Sequence, residues 1–295
     1  MASAVTEELG RRDAPVPNGE FPFTWADFRQ IATLVHSQSG IVLTESKVNL
    51  VYSRLAKRLR AIGLKTFREY CALVQDEAGL DERQAMIAAM TTNVTRFFRE
   101  AHHFDYLRSE VLPGLKRAAL AGKRIRIWSA GCSSGEEPYS IALTVLSEIP
   151  EAGALDLRIL ATDIDHNMIA RGRAGIYAEK LVDSIPRALR DRHLTPVEEK
   201  GARAFQMNEA VRSLVRFNEL NLLGSWPMRG KFDLIFCRNV MIYFDEPTQN
   251  SIWARFAECL VPQGPLLIGH SERIATETQP FDLVAQTTYR RRGRT

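Results

Sequence analysis

The sequence lacks the features that mark several large classes of protein. No apolar run approaches about 18 residues, so no segment is long enough to span a membrane as a helix. The amino terminus has no apolar signal-peptide core, and residues 1–21 have the charged, proline-containing composition of a disordered leader. The four cysteines form no C-x-x-C pair and share no metal-site spacing with the six histidines. We therefore expect reduced thiols, a cytoplasmic location and no bound metal.

The charge balance gives no sign of a nucleic-acid-binding protein. Lysine and arginine number 39 and aspartate and glutamate 35, which leaves a net charge of only +4 in 295 residues. The hydrophobic fraction of 45% is that of an ordinary globular protein, and the length is sufficient for two domains. We expect a monomer that inserts into no membrane and binds no nucleic acid.

Residues 22–92 carry helix signals and no strand signal. Thr24 and Thr66 each have an acidic residue three positions later, which is the pattern of a capping box, and Asp81 is predicted to cap a further helix. Apolar residues recur between these caps at the spacing of an amphipathic helix. We predict an all-α amino-terminal domain here, followed over 93–123 by a linker and a long helix that is interrupted at its proline.

From residue 124 the pattern changes to alternating strands and helices. The predicted strands are 124–129, 156–162, 215–218, 232–237, 265–269 and 284–289, and the predicted helices between them are 138–148, 166–173 and 247–260. This alternation predicts an α/β domain over 124–295, with a mostly parallel sheet and helices on both faces. The irregular, charged residues 178–214 are predicted to be an insertion.

A glycine-containing loop joins the first predicted strand to the first helix of this domain. Gly131 and Gly135 let the backbone turn sharply at the sheet edge where α/β proteins bind ligands. The loop matches neither the phosphate-binding pattern G-x-x-x-x-G-K-[ST] nor the dinucleotide pattern G-x-G-x-x-G. Glu136 and Glu137 stand at the helix entrance, where a phosphate would otherwise bind. A cationic nucleoside such as S-adenosylmethionine (SAM) therefore fits this loop better than a nucleotide phosphate.

Polar side chains follow two further strands of the predicted sheet. Asp163 can accept both hydroxyls of an adenosine ribose, or it can cap the next helix, as can Asp165. Arg238, Asn239 and Tyr243 follow an apolar strand, so we expect them at the same edge of the sheet as Asp163.

Several motifs spread along the chain are similar to those of one family. They are Thr91-Thr92-Asn93-x-Thr95-x-Phe97-Phe98-Arg99-Glu100, Trp128-Ser129-Ala130 through Ser133-x-Gly135-Glu136-Glu137-Pro138-Tyr139-Ser140-Ile141-Ala142, Ala161-Thr162-Asp163-Ile164-Asp165, Asn221-Leu222-Leu223, Phe232-Asp233-x-Ile235-Phe236-Cys237-Arg238-Asn239-Val240-Met241-Ile242-Tyr243-Phe244 and Gly269-His270-Ser271-Glu272. Together they resemble the CheR-type chemotaxis receptor methyltransferases, which methylate receptor glutamates with SAM. The resemblance implies an all-α amino-terminal domain and a class I SAM-dependent methyltransferase (Rossmann-like) domain with a small β subdomain inserted at about 178–214.

The resemblance also implies which residues form the site. The positions that should line the SAM site are Asn93, Thr95, Arg99, Glu137, Asp163, Asn221, Leu222, Arg238 and Asn239. Tyr243 should stand near the transferred methyl group, and Arg99 and Tyr243 are the candidate catalytic residues. The implied products are glutamate methyl esters and S-adenosylhomocysteine, and the implied partner is the cytoplasmic helical region of methyl-accepting chemotaxis receptors.

The implied reaction requires little acid–base chemistry. A glutamate carboxylate, with a pKa of about 4.3, is ionised at neutral pH and can attack the sulfonium methyl group in line without a general base. The protein must instead align and desolvate two opposite charges. Arg99 can orient the carboxylate of the incoming glutamate or that of SAM, and Tyr243 is the other candidate for alignment.

The predicted helix 45–62 carries a cluster of basic residues opposite its apolar stripe. They are Arg54, Lys57, Arg58 and Arg60, spaced three or four positions apart. A solvated helix face is the simpler interpretation. In a CheR-type enzyme the same face would be a docking surface for the acidic methylation region of the receptors.

Two other functions stay open on the residues. The loop also satisfies G-x-S-x-G, with Ser133 as the nucleophile of a serine esterase and with Asp233 or Asp245 and then His270 in the required order. In such hydrolases several strands precede the nucleophile, whereas here only helices precede the first predicted strand. A SAM-binding receptor scaffold without catalysis is the other alternative.

Overall fold

The structure, a computed structural model, describes residues 19–293 and divides into two units. Among these residues, the helical unit comprises 19–92 together with Tyr243–Asp245, and the sheet unit comprises Asn93–Ile242 and 246–293. Residues 1–18 of the predicted leader lie outside the described residues. At its end Phe21 is buried in the core of the helical unit, so the folded chain begins before residue 22.

Between residues 19 and 92, the helical unit contains four α-helices. They are α1 (Trp25–Ser39), α2 (Val48–Ile62), α3 (Phe67–Gln75) and α4 (Leu80–Met90), with single 3-10 turns at Glu45–Lys47 and Glu77–Gly79. The capping boxes predicted at Thr24 and Thr66 are both present and start α1 and α3. The predicted cap at Asp81 is wrong, because α4 begins at Leu80 and its N-cap is Gly79, two residues before Asp81. Asp81 lies instead in the first turn, where a negative charge favours the helix dipole.

The segment at 93–123 is part of the sheet unit rather than a separate linker, since Phe97, Phe104 and Leu107 are buried in the core beside the sheet. It contains α5 (His102–Tyr106) and α6 (Leu112–Leu120), joined by a π-helical turn at Leu107–Val111. The predicted interruption lies just before Pro113. Proline has no backbone N–H for the regular helical bond, and the wider turn accommodates its ring.

The rest of the sheet unit alternates strands and helices. The strands are β1 (Ile125–Ala130), β2 (Leu157–Asp163), β3 (Ile176–Ala178), β4 (Leu194–Glu199), β5 (Ala202–Met207), β6 (Val215–Glu219), β7 (Leu234–Cys237), β8 (Pro265–Ile268), β9 (Phe281–Ala285) and β10 (Thr288–Arg291). The helices are α7 (Glu136–Glu148), α8 (His166–Ala174), α9 (Glu179–Val182), α10 (Arg187–His193), α11 (Glu209–Arg212) and α12 (Glu246–Cys259), with 3-10 turns at Ala152–Ala154 and Met241–Tyr243.

Seven strands form the main sheet in the order β6-β2-β1-β7-β8-β10-β9. The pairs from β6 to β8 are parallel, and β10 pairs antiparallel with both β8 and β9. The predicted strand 284–289 is wrong, because Thr287 has a φ of 49° and the chain turns there between β9 and β10. Along the chain, β2 and β6 are added outward from β1 in one direction, β7 and β8 are added in the other, and β10 then inserts between β8 and β9. The switch point between β1 and β7 is where open α/β sheets bind ligands.

The predicted insertion forms a separate antiparallel sheet in the order β3-β5-β4. Its strands run from Ile176 to Met207, so the sheet starts two residues before the predicted boundary at 178. This sheet and the main sheet give an α/β fold with an inserted β subdomain, as predicted. No helix between residues 19 and 293 is both long and apolar enough to cross a bilayer.

Candidate functional site

The loop that follows β1 is fixed by the end of β2. The backbone N–H of Ser133 donates to Asp163 Oδ2 at 2.7 Å, and the N–H of Asp165 donates to Asp163 Oδ1 at 3.0 Å. Burial raises the pKa of Asp163, and these two backbone N–H groups oppose the increase. Asp163 therefore ties the loop to β2, and a carboxylate has enough lone pairs to accept more hydrogen bonds than these two.

Both glycines of this loop are required by the backbone. Gly131 has a φ of 74°, and a Cβ there would lie 2.3 Å from Cγ2 of Val240. Gly135 has a φ of 99°, and a Cβ there would lie 2.8 Å from the Tyr177 hydroxyl, which itself donates to the carbonyl of Ser134 at 2.7 Å. Any side chain would push the loop away from its supports.

Asn93 and Asp165 extend this arrangement. The Asn93 amide donates to Asp165 Oδ2 at 2.9 Å, and the Ser133 hydroxyl donates to the Asn93 carbonyl at 3.2 Å. Asp165 Oδ1 accepts the backbone N–H of Asn167 at 2.9 Å, so Asp165 is the N-cap of α8. The capping role considered for either aspartate thus belongs to Asp165.

Arg238 forms the centre of a buried charge cluster at the end of β7. Its side chain is 2% exposed, and it lies 3.1 Å from Glu137 Oε2 and 3.2 Å from Glu100 Oε2. Burial raises the pKa of Glu137, whereas the positive charge of Arg238 and the Ser129 hydroxyl at 2.7 Å lower it. Burial also raises the pKa of Glu100, but the hydrogen bond from His270 and the charge of Arg238 outweigh it and lower the value to about 2.

Arg99 lies between two residues with left-handed backbone, Phe98 with a φ of 53° and Glu100 with a φ of 58°. Its carbonyl accepts a hydrogen bond from the Arg238 guanidinium, and its own guanidinium donates to the Val94 carbonyl at 3.0 Å. Such strain persists only where the surroundings hold it, and it concentrates at functional sites.

Glu272, which is not among the predicted site residues, organises the loop after β7. Its Oε1 accepts the N–H groups of Val240 and Met241, both at 2.7 Å, and its Oε2 accepts those of Asn239, at 3.0 Å, and Gly269. Burial raises the pKa of Glu272, and these four donors oppose the increase. Asn239 is held with a φ of 60°. The sequence signals for Glu272 are its place four residues after β8, at the carboxyl edge of the sheet, and its position in the motif Gly269-His270-Ser271-Glu272.

The remaining predicted SAM-site positions are Asn221, Leu222 and Thr95. Asn221 and Leu222 follow β6, which pairs with β2 up to Asp163. The Asn221 side chain accepts the N–H of Leu223 at 2.9 Å, and Leu222 is buried. Thr95 is half-buried in the segment between Asn93 and α5.

Side-chain ligand atoms of Glu100, His102 and His103 lie within 4.8 Å of one another. The geometry alone would permit a metal ion. The Arg238 guanidinium is paired with Glu100, however, and a second positive charge there is unfavourable. Both imidazoles also contact the hydroxyl of Thr287, at 3.2 and 2.8 Å.

The structure does not assemble the triad of a serine esterase. The Ser133 hydroxyl donates to a backbone carbonyl, and Nδ1 of His270 lies 2.8 Å from Glu100. Asp233 precedes β7 and accepts a backbone N–H at the amino-terminal edge of the sheet, opposite the loop. Asp245 belongs to the helical unit and lies 3.1 Å from a histidine of α1.

Tyr243 also belongs to the helical unit. Its hydroxyl donates to the Thr92 carbonyl at 3.3 Å, its carbonyl accepts the N–H of Val42 at 2.9 Å, and its ring packs against the core of that unit.

The predicted basic face of α2 is largely engaged within the helical unit. The Arg54 guanidinium donates to the carbonyls of residues 89 and 91 at 3.0 and 2.8 Å, and Arg58 forms two hydrogen bonds with Glu82 at 3.0 and 2.6 Å. Arg60 is exposed and pairs with Glu20 at 2.7 Å. Lys57 is exposed and has no charged partner among residues 19–293. Arg54 and Arg58 are therefore bonded within the helical unit, and Lys57 and Arg60 are the exposed members of the cluster.

The chemistry of the edge fits SAM. Glycines at the switch point allow close approach of the backbone, and a strand-end carboxylate has lone pairs suited to ribose hydroxyls. Glu136 and Glu137 occupy the first turn of α7, which suits a cation and opposes a phosphate. These are the features of a site for a positively charged nucleoside.

Comparison with known proteins agrees with this chemistry. Residues 26–91 match the family described as CheR methyltransferase, all-alpha domain, and residues 93–290 match the CheR methyltransferase, SAM binding domain. A probable chemotaxis protein methyltransferase of Rhizobium etli is 53% identical over 258 residues, which are 87% of this chain and 96% of that protein. Chemotaxis protein methyltransferase 2 of Pseudomonas aeruginosa is 41% identical over 92% of this chain and 95% of its own length. The Escherichia coli chemotaxis protein methyltransferase is 40% identical over 90% of each chain. The present chain therefore belongs to the CheR methyltransferase family and is a SAM-dependent methyltransferase.

Proposed function

We propose that this enzyme methylates glutamate side chains in the cytoplasmic helical region of chemotaxis receptors, giving glutamate methyl esters and S-adenosylhomocysteine. The observation that carries the proposal is its 53% identity to a probable chemotaxis protein methyltransferase over almost the whole of that protein. The proposal places the enzyme in the cytoplasm, where that region of the receptors lies.

The chemistry of this substrate matches the groups at the sheet edge. Bound SAM supplies an electrophilic methyl group, and an ionised glutamate needs no proton removed before it attacks. The carboxylates at this edge already have partners. Glu137 and Glu100 are paired with Arg238. Glu272 accepts four backbone N–H groups. They serve to position the loops, and a general base is not required.

Arg99 is our candidate for orienting a carboxylate at the site. Its carbonyl and one guanidinium nitrogen have partners, which fixes the side chain while other N–H groups remain available. If Arg99 binds the carboxylate of SAM, Arg99→Ala should weaken S-adenosylhomocysteine binding about tenfold or more. If it binds the receptor glutamate, this affinity should stay unchanged while kcat/KM falls. Arg96→Ala, at an exposed neighbour, is the matched control.

Tyr243 is our candidate for aligning the attacking oxygen. Tyr243→Phe removes only the hydroxyl, whose hydrogen bond to Thr92 is the loosest of its contacts, so we expect the fold to persist. The variant should lower kcat by about tenfold, or ~1.4 kcal/mol. A loss of activity that merely follows the loss of folded protein would remove Tyr243 from the mechanism.

Receptor docking is proposed through Lys57 and Arg60, the exposed part of the basic cluster on α2. Charge reversal at Arg54 or Arg58 would break contacts that hold the helical unit together and would not test docking. Lys57→Glu should instead raise the KM for receptor and leave S-adenosylhomocysteine affinity unchanged, because the SAM-site residues belong to the sheet unit. Arg68→Glu, exposed on α3, makes the same charge change on another helix. Equal KM values for the two variants would refute a specific docking role.

The test of the whole proposal is transfer of tritium from methyl-labelled SAM to receptor-containing membranes. Glutamate methyl esters are hydrolysed by mild base, so the label should be released as volatile methanol. Label that survives base would indicate methylation of nitrogen or sulfur and would refute the proposal. Membranes without receptors provide the blank, and Arg96→Ala provides the active control.

A further inference from the structure

A basic groove lies at the amino-terminal edge of the main sheet, at the opposite ends of the strands from the glycine loop. Its volume is about 300 Å³, and its cationic residues are Arg124, Arg126, Arg158, Arg216 and Lys231. β1 has six residues, and a strand rises by about 3.3 Å per residue, so roughly 20 Å separates the two edges. The groove is therefore distinct from the SAM site.

The strand register concentrates positive charge on one face of the sheet. Arg126 is paired directly with Arg158 across β1 and β2, and Arg216 of β6 is paired with Leu160, which shares the face of Arg158. Three arginines thus stand on the same side of three adjacent parallel strands. Like charges in this arrangement destabilise a sheet.

The fold neutralises this charge only in part. Arg126 has a carboxylate partner, Asp156, at 2.6 Å. Arg158 donates only to backbone carbonyls, at 3.1 and 2.6 Å. Arg124 and Arg216 have no ion pair with any residue from 19 to 293, and both are exposed. The groove therefore retains positive charge at Arg124 and Arg216. Burial raises the pKa of the nearby Asp233, whereas backbone N–H groups and then the charges of Arg124 and Arg126 lower it, so this carboxylate offsets part of the charge of Arg124.

The floor of the groove is apolar. Leu160, Met228 and Phe232 line it between the basic residues. A cavity of this size lies at the small end of ligand pockets, which suits a compact molecule with a flat apolar body rather than a protein segment. The planar guanidinium groups match phosphate oxygens in pairs.

From this combination we propose that the groove binds a nucleoside di- or triphosphate, with its phosphates on the arginines and its base against the apolar floor. The ligand would bind without competing with SAM. It would lie beneath β1 and β2, whose opposite ends carry the glycine loop and Asp163.

The test is isothermal titration calorimetry of the full chain with ADP, in the presence of saturating S-adenosylhomocysteine so that the SAM site is filled. We expect saturable binding that Arg216→Glu weakens at least about tenfold. Arg216 is exposed on an edge strand, so this substitution should not disturb folding, and Arg124→Gln should act in the same direction. Arg187→Glu, at an exposed site on α10, makes the same change in net charge outside the groove.

Each outcome decides the proposal. Failure of millimolar ADP to bind the wild-type protein would overturn it, as would displacement of ADP by S-adenosylhomocysteine. An equal loss of affinity in Arg187→Glu would show attraction by net charge alone and would also overturn it. Inorganic pyrophosphate should bind more weakly than ADP. If it bound equally tightly, the nucleoside part of the proposal would be wrong.

Discussion

Acid should destabilise the sheet unit through one buried histidine. His103 is fully buried, with Nε2 2.8 Å from the Thr287 hydroxyl. Burial, followed by the charge of Arg238, lowers the pKa of His103 to about 3, whereas an unfolded histidine has a pKa of about 6.5. The unfolded chain therefore binds the proton more tightly, and stability falls as the pH drops below about 6.5, levelling off near pH 3. Between pH 7 and pH 5 the loss should be about 2 kcal/mol, from ~1.5 pH units at ~1.4 kcal/mol each.

The assay is urea unfolding at pH 7 and pH 5 for the wild type and for His103→Asn. The variant should have a lower free energy of unfolding than the wild type at pH 7. Between pH 7 and pH 5, however, this free energy should fall by about 2 kcal/mol less in the variant than in the wild type. Leu107→Ala, a buried position one turn further along the same helical segment, destabilises the core without removing a titrating group and should keep the wild-type pH dependence. Equal pH dependence in His103→Asn and the wild type would refute the buried neutral imidazole.

Three further predictions concern the site. S-adenosylhomocysteine should raise the melting temperature and NAD should not, and Asp163→Asn should reduce the increase because it weakens an acceptor at the strand end; stabilisation by NAD alone would contradict the ligand assignment. Glu272→Gln should weaken S-adenosylhomocysteine binding about tenfold in calorimetry, because an amide cannot accept four N–H groups. The circular dichroism spectrum should stay unchanged. An unchanged affinity would show that Glu272 does not position the site. Ser133→Ala should keep methyl transfer within about threefold of the wild-type rate. A fluorophosphonate probe should not label wild-type Ser133, because no imidazole among residues 19–293 contacts its hydroxyl. Labelling of Ser133 would instead support the serine-esterase alternative.

The sequence predicts the central strands well because local patterns determine them. β1 and β2 each lie within one residue of the predicted bounds, and both have alternating or continuous apolar residues between polar ends. The hairpin of β9 and β10 was missed because the turn at Thr287 contains no glycine, proline or asparagine. Turn chemistry is the main local signal for a hairpin, and here it is absent.

The partners of the charged residues are not readable from local patterns. Arg58 has the spacing of a solvated helix face, yet Glu82, 24 residues away, binds it in two hydrogen bonds. Arg238 meets Glu137 across 101 residues of sequence. Such pairs form only after helices and strands pack. The sequence can therefore predict that a charged residue lies at the sheet edge, but it cannot predict which residue that side chain bonds to.

The backbone strain at the edge argues for a site that is rigid before any ligand binds. Phe98, Glu100, Ser133 and Asn239 all have positive φ values without being glycine, and such conformations cost about 1–3 kcal/mol each. Buried side chains offset this cost, because Asp163 accepts the N–H of Ser133 and Glu272 that of Asn239. The proposed reaction between an ionised carboxylate and a methyl donor would gain little from proton transfer and much from alignment. An arrangement of buried carboxylates that hold backbone loops, rather than titrate, is what such a reaction requires.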